Sequence, residues 1–308
     1  MTVKLVKTQE VQILLDKLSG LDQQAGDARL KAIVRRIVGD LFATIEDFNI
    51  SDDEVWQALN FAARGSAEFG LWAAGLGLER FLDIRADAAD AAAGLTGGTP
   101  RTIEGPLYVA GAPESVGYAR MDDGSEEGKV DTLILHGQVR DVNGAPIEGA
   151  KVEIWHANSL GNYSYFDTTQ SEFNLRRTIF TDADGRYVTR TTLPVGYACP
   201  EGGSTETILK NIGRHGNRPA HVHYFVSAEN KRHLTTQINI DGDPYLHDDF
   251  AYATRDELVP PVKRLTGGAL AERCSVSGEH VEIQFDIMLH AASSKQEEHA
   301  SARPRAAG

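Results

Sequence analysis

The pattern of apolar and polar positions divides the chain into two parts. Up to about residue 95 the apolar residues recur at helical spacing. Val11, Leu14, Leu15 and Leu18 follow i, i+3, i+4, i+7, and Gly20 stops that helix. Leu30, Ile33, Val34, Ile37, Val38, Leu41, Phe42 and Ile45 continue one apolar stripe along a longer helix. Ser51-Asp52-Asp53-Glu54 reads as a capping box opening a third helix with Val55, Leu59 and Phe61. Helical spacing then resumes from Phe69 to about Ala93. No strict heptad is sustained, so this part is a helical layer and not a coiled coil.

Gly97-Gly98-Thr99-Pro100 marks a boundary, and from about Val130 the period changes to two. Leu133, Leu135 and Val139 alternate with polar neighbours, and so do Val152 and Ile154. A strand follows the turn Thr181–Gly185 through Tyr187 and Val188, and Leu234–Ile240 returns from the turn at Asn230-Lys231. Val281, Ile283, Phe285, Ile287 and Leu289 alternate to the end of the expected fold. Short strands punctuated by turns predict a mainly antiparallel β-sandwich. The expected class is therefore α+β. Residues 1–98 form a helical segment, 99–129 a linker, 130–290 the sandwich, and 291–308 a disordered tail without periodicity.

Composition narrows the function by exclusion. A formal net charge of -13 argues against nucleic acid or an anionic membrane as partner. With two cysteines, Cys199 and Cys274, neither a disulfide framework nor a cysteine-built zinc site is on offer. The first residues lack a signal-like apolar region, and no apolar run approaches the ~18 residues of a membrane span. The expected compartment is the reducing cytoplasm.

Candidate chemistry centres on Arg218-Pro219-Ala220-His221-Val222-His223-Tyr224-Phe225-Val226-Ser227, which reads as a strand. At period two, His221 and His223 share a face, where they either bind one metal or lie on a solvated surface. Two tyrosines sit in upstream loops: Tyr163 in Asn158–Ser164, and Tyr197 in Leu193-Pro194-Val195-Gly196-Tyr197-Ala198-Cys199-Pro200. Taken singly, each could simply pack its ring and bond its hydroxyl. Taken with the histidines, they suggest a metal able to hold tyrosinate. Hard phenolate and borderline imidazole donors suit Fe(III) better than zinc.

Gly161-Asn162-Tyr163-Ser164, Pro194-Val195-Gly196-Tyr197 and Arg218-Pro219-Ala220-His221-Val222-His223 occur in the order and approximate spacing found in the intradiol ring-cleaving dioxygenases. The chain resembles that family over nearly everything but the tail. The resemblance implies a transthyretin-like catalytic sandwich and one mononuclear non-haem Fe(III) per subunit, held by Tyr163, Tyr197, His221 and His223. The implied reaction is intradiol cleavage of catechol by O2 to cis,cis-muconate in aromatic degradation. Tyr197 would be displaced by the diol and help accept its proton. Arg218 would stabilise negative charge on the substrate, with Gln237 close to the iron. The pocket would be lined by Leu71 and Ala74 from the helical part, Ile103, Gly105, Pro106 and Leu107 from the linker, and Phe250 and Ala251. The resemblance also implies a homodimer through the N-terminal helices, with a phospholipid at that interface as a further partner. The alternatives are a preference for chlorocatechol or hydroxyquinol, and a non-enzymatic sandwich module whose histidines bind metal adventitiously.

Overall fold

The computed structural model describes residues 4–294 and divides into two units, residues 1–66 and 67–308. The first unit holds helices α1 (Gln9–Leu18), α2 (Ala28–Asp47) and α3 (Asp52–Arg64). Their starts are set locally. The Asp27 carboxylate accepts from Leu30 N at 2.6 Å, and Ser51 and Glu54 form a reciprocal capping box. Arg35 donates to Asp16 at 2.6 Å and ties α2 to α1. No residue of α2 or α3 is buried. Leu30, Ile37 and Leu41 of the α2 stripe are 59%, 62% and 54% exposed, and Trp56 of α3 is 64% exposed.

The second unit opens with α4 (Phe69–Gly75) and α5 (Leu78–Ala92). One continuous helical stretch was the expectation here. Gly77, with φ +77°, breaks it. Ala74 is buried in a cluster with Phe250 and Leu209, so α4 packs within the sandwich unit. Composition changes at residue 98, but the second unit begins at Ala67, because packing and strand content are separate properties.

The strands are β1 (Glu114–Val116), β2 (Tyr118–Arg120), β3 (Thr132–Asp141), β4 (Lys151–Trp155), β5 (Arg176–Phe180), β6 (Arg186–Thr192), β7 (Tyr197–Ala198), β8 (Asn217–Arg218), β9 (His221–Ser227), β10 (Leu234–Asn239), β11 (Lys263–Thr266), β12 (Glu279–Gln284) and β13 (Ile287–Leu289). They form a sheet ordered β1-β5-β4-β9-β10, another ordered β11-β12-β3-β6-β2, and the small ribbon β7-β8, with β13 pairing β3. Most ladders are antiparallel, while β1 pairs β5, β2 pairs β6, and β12 and β13 pair β3 in parallel. Helices α6 (Ser204–Asn211) and α7 (Ala269–Arg273) interrupt a region expected to be strands alone. The expected last strand is two strands, because Phe285 turns its carbonyl to accept the Tyr187 hydroxyl at 2.7 Å.

The two large sheets close on one apolar core. Val152, Ile154, Val222, Tyr224, Val226 and Ile238 from one sheet join Leu133, Leu135, Tyr187, Val281 and Ile283 from the other. Both cysteines are buried and free. No helix among the described residues is long and apolar enough to cross a membrane. Most of the expected tail, from residue 295, lies outside the described residues; Ala291 and Ala292 pair with Lys231 and Asn230.

Candidate metal centre

The site lies on the outer face of β9, opposite the core. Because side chains alternate, Val222, Tyr224 and Val226 enter the core while His221, His223 and Phe225 face the other way. Register then writes a row across four strands: Gln237 of β10 pairs His223, His223 pairs Trp155 of β4, and Trp155 pairs Arg176 of β5. The Trp155 ring stacks on His223 at 4.8 Å between centroids and 7° between planes. Both histidines are only 2% exposed, so this outer face is buried too.

The tyrosines arrive from loops that glycine brings together. The ribbon places Tyr197 directly opposite Arg218, three residues before His221. Gly161, with φ +80°, sits so close that a Cβ there would lie 2.6 Å from the Tyr197 Cβ. Gly196 likewise allows the Tyr197 loop to approach, since its Cβ would stand 2.7 Å from the Arg218 carbonyl oxygen. The glycines of both tyrosine motifs thus have one steric purpose.

Four donor atoms converge. The Tyr163 and Tyr197 hydroxyl oxygens are 3.3 Å apart and lie 3.3 and 3.4 Å from His221 Nε2, which is 3.1 Å from His223 Nε2. These separations are long for O–H···N bonds. They are what ligands about 2 Å from one shared ion show among themselves. His221 Nδ1 donates to the Pro219 carbonyl at 2.6 Å, which leaves the Nε2 lone pair facing the cluster. Burial, followed by the Arg218 charge, pulls the His221 pKa down to about 3, and burial, followed by His221, pulls His223 well below its ordinary value. Both imidazoles are therefore neutral and able to coordinate. Burial, followed by Tyr197, pushes Tyr163 well above the ordinary phenol range, so a tyrosinate there needs a strong cation. Among the described residues no group of three or more His, Cys, Asp and Glu side chains is placed to hold a metal. The phenol–imidazole set is a different donor chemistry and fits a hard trivalent ion.

Arg218 borders the same cluster, with Nη1 3.0 Å from His221 Nε2. It is 5% exposed, and its fork donates to Asp249 at 3.2 Å through both Nε and Nη2, while Nη2 also donates to Gln237 Oε1 at 2.9 Å. Burial works against its charge, but Asp249 and the phenols outweigh burial and raise its pKa. Asp249 in turn is held below the usual carboxylate range: burial opposes ionisation, and Arg218 more than offsets it. Gln237 therefore touches Arg218 and Asn239.

These groups floor a cavity of about 350 Å³. Its walls include Leu71 and Ala74 of α4, Ile103, Gly105, Pro106 and Leu107 of the linker, and Phe250 and Ala251, with Tyr163, Tyr197, Arg218 and His223 at its base. His221 and Gln237 are not among its lining residues. The cavity also takes in Glu104, Asn162, Phe166 and Cys199, which sequence reasoning did not single out. Asn162 and Cys199 stand one and two residues from the tyrosines, and that proximity was the available signal. Asp249, the partner of Arg218, immediately precedes the wall residue Phe250.

A phenol–imidazole centre beneath an apolar cavity, on a sandwich preceded in the chain by helices, defines a class: the chain belongs to the intradiol dioxygenase family. It matches the family model described as dioxygenase over residues 103–291 and the one described as catechol dioxygenase N terminus over residues 27–94. It is similar to the catechol 1,2-dioxygenase of Acinetobacter guillouiae, at 60% identity over 85% of this chain and 86% of that protein. It is also similar to the catechol 1,2-dioxygenase of Pseudomonas sp. (strain EST1001), at 53% identity over 99% of this chain and 100% of that protein. Among solved structures, that of catechol 1,2-dioxygenase from Acinetobacter sp. ADP1 inhibited by bound mercury superposes with a TM-score of 0.94 at 52% identity, covering 99% of this chain and 100% of that one. The family implies a non-haem iron cofactor.

Proposed function

We propose that the chain cleaves catechol between its two hydroxylated carbons with O2, giving cis,cis-muconate, at one Fe(III) per subunit held by Tyr163, Tyr197, His221 and His223. The convergence of two phenol oxygens and two imidazole Nε2 atoms within 3.1–3.4 Å carries the reading. Bound there, ferric iron would act as a Lewis acid that draws electron density from a coordinated diol. Tyr197, on the short ribbon beside the cavity, would accept a diol proton on its oxygen as the tyrosinate. Arg218, kept charged by Asp249 and steadied by Gln237, presents a fixed cation to the negative charge of the ionised diol. The apolar walls seat the ring and keep water away from it.

Leu71 favours catechol over hydroxyquinol, whose third hydroxyl would meet an apolar wall. Ala74 leaves room for methyl or chloro substituents, so chlorocatechols are side substrates in this reading. The non-enzymatic alternative leaves no role for two loop tyrosines converging on the histidine pair. The test is a visible spectrum before and after catechol is added without oxygen. A red-brown charge-transfer band that moves to longer wavelength supports the ligand set, and a protein that stays colourless after ferric iron is supplied overturns it.

The reading extends to assembly. The exposed apolar stripe of α2 and Trp56 of α3 support a homodimer through the N-terminal helices, with a phospholipid chain as a further occupant of that surface. The two thiols, free and buried, agree with a cytoplasmic enzyme of aromatic degradation.

A further inference from the structure

Two buried guanidiniums border the outer face of the five-stranded sheet, Arg176 from β5 and Arg218 from the ribbon, and only one of them has a carboxylate. Arg218 is paired with Asp249. Arg176 is 1% exposed, and its fork goes to neutral acceptors: Nε to Ser164 Oγ at 3.0 Å, Nη2 to the Ser164 carbonyl at 3.0 Å, and Nη1 to the Leu107 carbonyl at 2.9 Å. Glu153, on the adjoining strand, is engaged instead by Tyr108 at 2.7 Å and Lys151 at 3.1 Å. A buried cation facing only neutral groups is costly, and a fold keeps one where an anion is to stand. The Arg176 guanidinium carbon lies 5.7 Å from the centroid of the Tyr163 ring, next in sequence to the serine it grips.

We infer that Arg176 is a positioning residue for the iron centre: its charge, set beside the ring by bonds to Ser164 and the Leu107 carbonyl, is the built-in counter-ion of the Tyr163 phenolate. The inference rests on the ligand set proposed above. It assigns the two arginines separate duties. Arg218, kept charged by Asp249, borders the cavity and His221, while Arg176 lies outside the cavity lining and grips the loop of the protein's own ligand.

A cation nearer the phenolate than the metal stabilises the electron pair on the phenolate more than it stabilises the same charge on the metal. Charge transfer from ring to metal then requires more energy, so removing the cation moves the band to longer wavelength. The experiment compares iron-loaded wild type with Arg176→Met and Arg176→Lys by visible absorption, with circular dichroism as a fold check. Arg176→Met is expected to shift the band to longer wavelength, and Arg176→Lys, which keeps charge but loses the fork, to stay near the wild-type position. A band unmoved in Arg176→Met, or moved equally in both variants, overturns the inference. If Arg176→Met does not fold, Arg176→Lys decides: a wild-type band supports the charge role, and a displaced band overturns it. A wild type with no band at all would fail the ligand set itself, so the two failures are distinguishable.

Discussion

The two faces of β9 are buried to the same extent by opposite means. On the inner face Val222, Tyr224 and Val226 pack into the sandwich core. That burial is favourable by about 25 cal/mol per Å² of apolar surface. On the outer face His221 and His223 are as deeply buried, beside Gln237, Asn239 and Arg218. There each polar group must find a partner, and some do not: His223 Nδ1 and Asn239 Nδ2 are buried without a hydrogen bond in the described residues. One strand thus carries stability on one side and chemistry on the other. The outer face gives up stability so that the four donors proposed for the metal, and the arginines beside them, are held in place.

The comparison breaks most sharply when each face loses one side chain. His223→Ala should abolish iron binding and turnover, because it removes a quarter of the donor set proposed for the metal, yet leave the sandwich folded. Ile238→Ala, on the inner face of β10, should cost about 2–5 kcal/mol of stability and keep the charge-transfer band. Urea unfolding and visible absorption on both variants check the pair. If His223→Ala keeps its colour, the division of labour between the faces is wrong.

The ion pair on the outer face gives the next largest effect. Arg218→Met should lower turnover by about 10²–10³-fold, as expected when a preorganised charge is lost. Its partner sets a pH signature. Asp249 has a lowered folded-state pKa, so it contributes stability that is present above the ordinary aspartate pKa of 3.8 and is lost as pH falls through its folded value. Melting temperature should therefore drop more steeply in acid, below about pH 4, for wild type than for Asp249→Asn. Equal acid slopes would show that this pair adds nothing in the folded state.

A smaller effect is expected where glycine lets the loops meet. Gly161→Ala combines a positive φ with a Cβ that would lie 2.6 Å from the Tyr197 Cβ, a cost of about 2–4 kcal/mol in strain and overpacking. The variant should fold less stably and show a displaced charge-transfer band. An unaltered band would mean that the Tyr163 loop yields without disturbing Tyr197.

What could be read in the sequence follows the same division. The pairing of His221 with His223 was legible because strand period is local, and the capping box at Ser51 was legible for the same reason. Helix α6 was not, because its first turn is capped by Glu68, which accepts from Ser204 N at 3.0 Å and Thr205 N at 2.9 Å across more than a hundred residues. Strand β5 was missed because it opens with Arg176 and Arg177, and a buried arginine looks solvated until its acceptors are known. Asp249 could not be matched to Arg218 for that reason too: salt-bridge partners far apart in sequence leave no periodicity. The helical break at Gly77 is legible in the sequence, where Gly75 and Gly77 stand two residues apart.

The smallest expected effect concerns the wall above the outer face rather than its floor. Leu71 projects from α4 into the cavity, and the donor atoms lie on the sheet and its loops. Truncating it changes the space available to the ring and leaves the proposed iron ligands in place. Leu71→Ala should therefore preserve the spectrum while raising kcat/KM for a methyl- or chlorocatechol relative to catechol. A methylene's worth of pocket is worth about 1–3 kcal/mol, so the ratio should move by about 10–200-fold at most. Competition between catechol and 4-methylcatechol measures it directly. A changed ratio with an unchanged band would separate the selecting wall from the reacting floor. A shifted band would instead show that α4 packing reaches the ligands, and that wall and floor act as one unit.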